Sequence, residues 1–155
     1  MSKKIKICFA ASSGGHLEQV LMLKPLMQKY DSFIITEKTA YQVELNGEKA
    51  YSLYQTNRKE FFFLVKLLCN SIISLRIFIK EKPDVVITTG VLAIIPMCLL
   101  AKLFKKKLVF IESFAKVDSP TETGKFLYRF ADQFYVQWPQ MKKFFPNAIY
   151  LGGIY

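Results

Sequence analysis

Two regimes of apolar patterning alternate along the chain. Short continuous apolar runs, bounded by Gly, Pro, Asp or Ser, predict strands at Ile5–Ala10, Ser32–Thr36, Ala50–Tyr54, Val85–Thr89, Leu108–Ile111, Gln133–Gln137 and Ala148–Leu151. Between them apolar residues recur near the helical period. That spacing predicts helices at Leu17–Lys29, Ala40–Leu45, Arg58–Lys80, Leu92–Phe104, Thr123–Phe130 and Gln140–Phe144. Pro25 removes a backbone donor inside the first of these, which predicts a kink or a restart. Runs such as DVVITTG and LVFIES are apolar throughout rather than alternating, as strands covered on both faces are. The expected architecture is therefore α/β: a single Rossmann-like domain over residues 1–155 with a mostly parallel sheet and helices on its faces. No repeat, low-complexity block or linker interrupts it.

In such sheets the functional loops lie beyond the carboxyl ends of the strands. The first strand ends in Ser12, Ser13, Gly14, Gly15 and His16, a tight turn into a helix whose free N–H groups and dipole both favour an anion. A middle strand ends in Thr88, Thr89 and Gly90, and the next in Glu112 and Ser113 before a long polar loop. A parallel sheet brings these loops to one edge. Each also has an ordinary reading: a Gly-Gly pair is common turn geometry, His16 fits an exposed or capping residue, and Glu112 a strand-end charge. The turn thus binds phosphate, does chemistry or merely turns the chain. Three polar strand ends at one edge make that edge the candidate site.

Composition narrows the chemistry. The chain has 155 residues, of which 52% are hydrophobic, and a formal net charge of +10, which points to an anionic partner. Nucleic acid is set aside, because the basic residues are dispersed and no aromatic–basic RNA motif occurs. Cys8, Cys69 and Cys98 lie inside apolar runs without C-x-x-C spacing and read as reduced core residues. Neither a histidine cluster nor D-x-D is present, so no metal and no cofactor are implied. The glycines are adjacent rather than spaced as G-x-G-x-x-G, which argues against a dinucleotide even though Glu37 follows the second strand. The P-loop and the G-x-S-x-G elbow are likewise absent.

No signal peptide is expected, and no long charge-free run predicts a transmembrane helix. Two segments approach one. Residues 60–80 are helical in period, with Lys66, Asn70 and Ser74 along one stripe, and residues 91–107 are apolar nearly all round before Lys102, Lys105, Lys106 and Lys107. Basic residues beside apolar surface suit an interfacial helix on an anionic leaflet. Much of both helices is expected to pack on the sheet, with partial contact to a membrane surface.

The strings ASSGGHLEQ, PDVVITTGVLAIIP, VFIESFA and the terminal GGIY resemble the amino-terminal half of a GT-B glycosyltransferase. The broad likeness is to the peptidoglycan enzyme that adds N-acetylglucosamine to a lipid-diphosphate acceptor. The nearer likeness is to a split family in which this half is a separate polypeptide. That family includes the membrane-side subunit of the dolichol-linked N-acetylglucosaminyltransferase and the PssD-like accessory proteins of capsule and exopolysaccharide synthesis. The resemblance covers nearly the whole chain. It implies an accessory subunit with little or no activity alone, forming a heterodimer with a catalytic UDP-sugar-binding subunit that carries the second Rossmann domain. The sugar is galactose or N-acetylglucosamine, and the acceptor a lipid-diphosphate saccharide. The eukaryotic subunit has an N-terminal membrane span, whereas here the first strand starts almost at Met1. The expectation is a peripheral protein of the cytoplasmic membrane face, attached through the domain itself. On this reading Ser12, Ser13, Gly14, Gly15, Thr89 and Gly90 hold the acceptor or its diphosphate, and His16 or Glu112 is the general base. The alternative is a non-catalytic membrane recruiter for the partner.

Overall fold

The computed structural model describes residues 4–38 and 47–155. The strands are β1 (Lys6–Ala10), β2 (Asp31–Glu37), β3 (Ala50–Leu53), β4 (Val85–Thr88), β5 (Lys107–Ile111), β6 (Gln133–Val136) and β7 (Ile149–Tyr150). They form one seven-stranded sheet in the order β3-β2-β1-β4-β5-β6-β7, and every pairing is parallel. The helices are α1 (Gly15–Leu21), α2 (Lys24–Lys29), α3 (Phe63–Glu81), α4 (Ile95–Leu103) and α5 (Glu122–Leu127), with 3-10 turns at Leu92–Ile94 and Pro139–Lys143.

The period of two explains why the strands read as unbroken apolar runs. Successive side chains point to opposite faces, and both faces are buried. In β1, Cys8 and Ala10 join one core with Phe33, Phe78 and Met97, while Ile7 and Phe9 join the other with Leu17, Val20 and Met27. Phe9 is wholly buried, and truncating such a residue to Ala costs about 3–5 kcal/mol.

Most differences from the expected elements have local causes. The single helix expected over Leu17–Lys29 starts earlier, at Gly15, and restarts at Lys24 with Pro25 in its first turn, where a missing N–H costs nothing. The helix expected from Leu92 begins as a 3-10 turn and becomes α4 at Ile95, again with proline in its first turn. The helix expected from Arg58 begins at Phe63, because Asn57 accepts from the Lys59 N–H at 3.0 Å and folds residues 57–60 as a turn. The short helix expected at Gln140–Phe144 is a 3-10 turn. The helix expected at Ala40–Leu45 lies outside the described residues.

Helix α3 reverses the usual polarity of a surface helix. It buries Asn70, Ser74 and Glu81 with Ile77 and Phe78, and leaves Leu64, Val65, Leu68, Ile72, Leu75 and Ile79 exposed. The buried polar stripe has a purpose at Asn70. Its side chain accepts from the Tyr54 N–H and donates to the Tyr54 carbonyl, both at 2.8 Å, completing the backbone bonding where β3 ends. Among the described residues no helix is long and apolar enough to cross a membrane.

Candidate functional site

Strand order reverses at β1. From there the chain steps outward through β2 and β3, then returns to β4 on the other side and continues to β7. The loops after β1 and β4 therefore stand at the switch point, beyond the carboxyl ends of those strands, where open α/β sheets place their ligand crevice.

The turn after β1 lines one wall. Ser12 is buried, Ser13 half-buried, and Gly14 and Gly15 are exposed. Gly14 has φ +79° and ψ −145°, a conformation that a side chain resists, and a Cβ on either glycine would meet nothing within 4 Å. No side chain caps α1; its Leu17 and Glu18 N–H groups donate to the Gly14 carbonyl at 2.9 and 3.1 Å, which leaves those of Gly15 and His16 as the donors at this end. The opposite wall is strained as well as close. Thr89 donates its hydroxyl to the His16 carbonyl at 3.0 Å, and the Gly90 N–H donates to the Thr88 hydroxyl at 3.0 Å. Gly90 has φ +97°, and a Cβ there would lie 3.3 Å from the Phe110 ring. Val91 follows at φ 119°, a region almost reserved for glycine, and such strain costs on the order of 1–3 kcal/mol.

His16 sits between these walls. Its Nδ1 is buried without a hydrogen-bond partner among the described residues. Burial lowers the imidazole's pKa, an effect the Thr89 backbone partly offsets, and so favours the neutral ring.

Glu112 is placed differently. It is fully buried, and its carboxylate accepts from the Ser113 N–H at 2.9 Å, the Thr121 N–H at 3.2 Å and the Thr121 hydroxyl at 2.9 Å. Thr121 in turn caps α5 by accepting from the Gly124 N–H at 2.9 Å. Gly124 closes the pocket, since a Cβ there would stand 2.2 Å from a Glu112 oxygen. Burial raises the Glu112 carboxyl above its usual range, against the pull of the Ser113 and Thr121 donors. No hydrogen bond joins Glu112 to His16 among the described residues.

What links the loops is a pair of amides that the sequence pattern does not single out. Gln137, just beyond β6, donates to the Gln19 side chain at 2.8 Å and to the Glu112 carbonyl at 2.9 Å, and accepts from the Ile154 N–H at 2.9 Å. Gln19 also accepts from the Phe114 N–H at 3.0 Å and donates to the Gly15 carbonyl at 3.3 Å. Trp138 donates to the Phe114 carbonyl at 2.6 Å, and Tyr155 stands edge-on to the Phe114 ring with centroids 5.1 Å apart. Helix α1, the loop after β5, the end of β6 and the terminal GGIY segment are thereby one polar assembly. ASSGGHLEQ and ESFA do contain Gln19 and Phe114, but only the fold shows that they meet.

The basic cluster after α4 is also more committed than its sequence suggests. Lys102 and Lys107 pair with Asp132, and Lys106 pairs with Asp84 at 2.9 Å. Its charge is largely answered within the domain.

This geometry defines a class: a Rossmann-like domain resembling the N-terminal half of GT-B enzymes such as MurG. MurG of Acinetobacter baumannii superposes with a TM-score of 0.71 at 19% identity over 88% of this chain. A UDP-N-acetylglucosamine 2-epimerase of Rickettsia bellii does so at 0.73 and 12% identity over 97% of it. The chain spans 42% and 45% of those two structures, respectively. The family model of "Oligosaccharide biosynthesis protein Alg14 like" matches residues 36–154, and the chain belongs to that family. Human "UDP-N-acetylglucosamine transferase subunit ALG14" is 25% identical over 98% of this chain and 84% of its own length.

Proposed function

We propose that this chain is the acceptor-side, membrane-associated subunit of a two-part transferase. The pair moves a sugar from a UDP-sugar to a lipid-diphosphate-linked saccharide. The donor site belongs to a partner chain that forms a heterodimer across the crevice, and this chain alone transfers little or nothing. The observation that carries the reading is a coincidence of two surfaces. The open glycine turn with its histidine lies at the carboxyl ends of the strands, and α3, with its apolar face outward, starts from that same end of the domain. The relatives, named as UDP-N-acetylglucosamine transferase subunits, supply the reaction class.

In this mechanism the N–H groups of the Ser12–Gly15 turn receive the saccharide-side phosphate of the acceptor. Thr89 and Gly90, expected to share in that binding, are buried with their donors on His16 and Thr88 and hold the turn in place. His16 accepts the proton of the acceptor hydroxyl as its oxygen bonds to the anomeric carbon. The bond from that carbon to UDP breaks, and UDP leaves with the electron pair. Positive groups of the partner stabilise the leaving diphosphate. Glu112, with its carboxylate closed off, serves as a positioning residue through the backbone of residues 113–121.

N-acetylglucosamine is the transferred sugar that the relatives favour, with galactose the alternative. The setting we propose is capsule or exopolysaccharide synthesis at the cytoplasmic face of the membrane. The test supplies labelled UDP-N-acetylglucosamine or UDP-galactose to membranes holding this chain, its candidate partner, or both. Transfer into extractable lipid is expected only with both, and the accepted donor identifies the sugar. Equal transfer without this chain would remove it from the enzyme. A second reading, a recruiter without a catalytic residue, draws on the closure of Glu112 and predicts that His16→Ala leaves transfer intact.

A further inference from the structure

A separate polar cavity of about 560 Å³ lies between the β3–α3 loop and the loop after β4. Asn57, Arg58 and Lys59 line it on one side, and the strained Val91 and the buried Thr123 on the other. Arg58 and Lys59 are both exposed, and neither forms an ion pair among the described residues; the one acid lining the cavity, Glu60, is paired with Lys66. Glu122 is the acidic side chain whose field reaches Arg58, and it is itself paired with Lys125 at 2.7 Å. Among the described residues the cavity thus carries two uncommitted cations and no free carboxylate on its rim.

Just C-terminal to the cavity-lining loop the chain is apolar and exposed. Phe61 is 95% and Phe62 64% accessible, and their rings meet edge to face with centroids 5.1 Å apart. They lead into the outward strip of α3, and a largely apolar groove of about 610 Å³ continues between Ile72, Leu75, Leu99 and Leu103. A cationic polar pocket is therefore followed along the chain by exposed aromatic and aliphatic side chains that lead up α3 to the apolar groove. At its inner side the cavity reaches Val91, two residues beyond Thr89, which is hydrogen-bonded to His16.

We propose that this cavity is a lipid-phosphate site. Arg58 and Lys59 bind the phosphate next to the hydrocarbon of the acceptor, the hydrocarbon leaves over Phe61 and Phe62 along α3, and the saccharide end points to His16. The inference rests on the lipid-linked acceptor proposed above and adds the two cations and the direction of the lipid. A guanidinium and an ammonium suit a phosphate with several acceptor oxygens, and their attraction is strengthened at the low-dielectric edge of a bilayer.

The test is flotation of the full chain with neutral phosphatidylcholine vesicles containing a polyprenyl diphosphate, with phosphatidylglycerol vesicles, and with plain phosphatidylcholine. Arg58→Gln with Lys59→Gln is expected to weaken binding to polyprenyl diphosphate vesicles by about tenfold to thirtyfold. Both side chains are exposed, so the thermal midpoint should not move. Phe61→Ser with Phe62→Ser is expected to weaken binding to all three vesicle types. Unchanged binding by the double glutamine variant overturns the proposal, as does a wild-type chain that ignores the polyprenyl diphosphate. An equal loss on phosphatidylglycerol overturns it too, since general attraction to anionic headgroups then suffices. Sugar transfer with the partner separates the two levels. If wild-type and double-variant chains support it equally, the cavity fails while the transferase reading stands; if transfer never needs the chain, the transferase reading fails.

Discussion

The loops after β1 and β5 both present short polar side chains and a titratable group at a strand end, His16 and Glu112, and use them in opposite ways. After β1 capacity is left in reserve: α1 has no side-chain cap, both glycines border empty space, and the buried His16 Nδ1 has no partner among the described residues. After β5 they are consumed, since Glu112 takes up the Ser113 and Thr121 donors and Gly124 seals the pocket. An open loop holds hydrogen-bonding capacity in reserve for a ligand, whereas a closed one spends it on its own shape. The closed loop is nonetheless tied to the open one through Glu112 O, Gln137, Gln19 and Gly15. Its rigidity sets where the open turn lies.

The sharpest way to break this contrast is to force the closed loop apart. Gly124→Ala places a methyl group 2.2 Å from the Glu112 carboxylate, so the carboxylate must move and abandon its donors. A loss of about 3 kcal/mol or more is expected from overpacking and unsatisfied groups together, read as a large fall in the thermal midpoint. A midpoint within a degree of wild type would show that the loop is not held by Glu112.

A smaller effect separates Glu112 from the carboxylate at the other end of the sheet. Burial pushes Glu81 upward too, but hydrogen bonds from Lys49, Tyr51 and Lys6 outweigh it and hold the group at about 2. A carboxyl lowered in the folded state gives stability that is complete above the unfolded value of about 4.3 and lost as pH falls toward 2. Glu112, raised by burial, has the opposite sign: its contribution is complete below about 4.3 and lost as pH rises through its folded value. Glu81→Gln should therefore cost about 1–2 kcal/mol at pH 7, discounted for the exposure of Lys49, and flatten the acid limb of denaturant stability. An acid limb of unchanged steepness would contradict that assignment.

Smallest is the open turn itself. Gly14→Ala meets no neighbour, so only its φ of +79° resists the change, and the expected cost is about 1 kcal/mol in chemical denaturation. A cost as large as that of Gly124→Ala would mean the turn is packed like its counterpart.

Much of this was readable in the chain, and the parts that were not share a cause. Strands such as Val85–Thr88 and Gln133–Val136 fall within one residue of their expected bounds, because continuous apolar runs between polar stops leave little choice. The turn after β1 was legible from Ser12 to His16 alone. The structure brings His16 and Thr89 together as a parallel sheet requires, and brings Glu112 into the same polar assembly without bringing it to His16. Gln19 and Gln137 were not legible. They are separated by 118 residues, and an amide carries no periodicity that announces its partner. An interfacial helix was expected over residues 60–80, but the inward turn of its Asn70 and Ser74 stripe was hidden for a related reason. Its apolar residues fit a core helix equally well, and only the bonding of Asn70 to the end of β3 shows which stripe turns inward.

Labelled sugar transfer by the reconstituted pair, with wild-type chain or His16→Ala, tests the central claim most directly. The open-turn account predicts a fall of about 10²- to 10⁴-fold for the variant, with thermal midpoint and pairing to the partner unchanged. Transfer at the wild-type rate with His16→Ala would contradict it and leave the chain as a recruiter whose crevice holds no base.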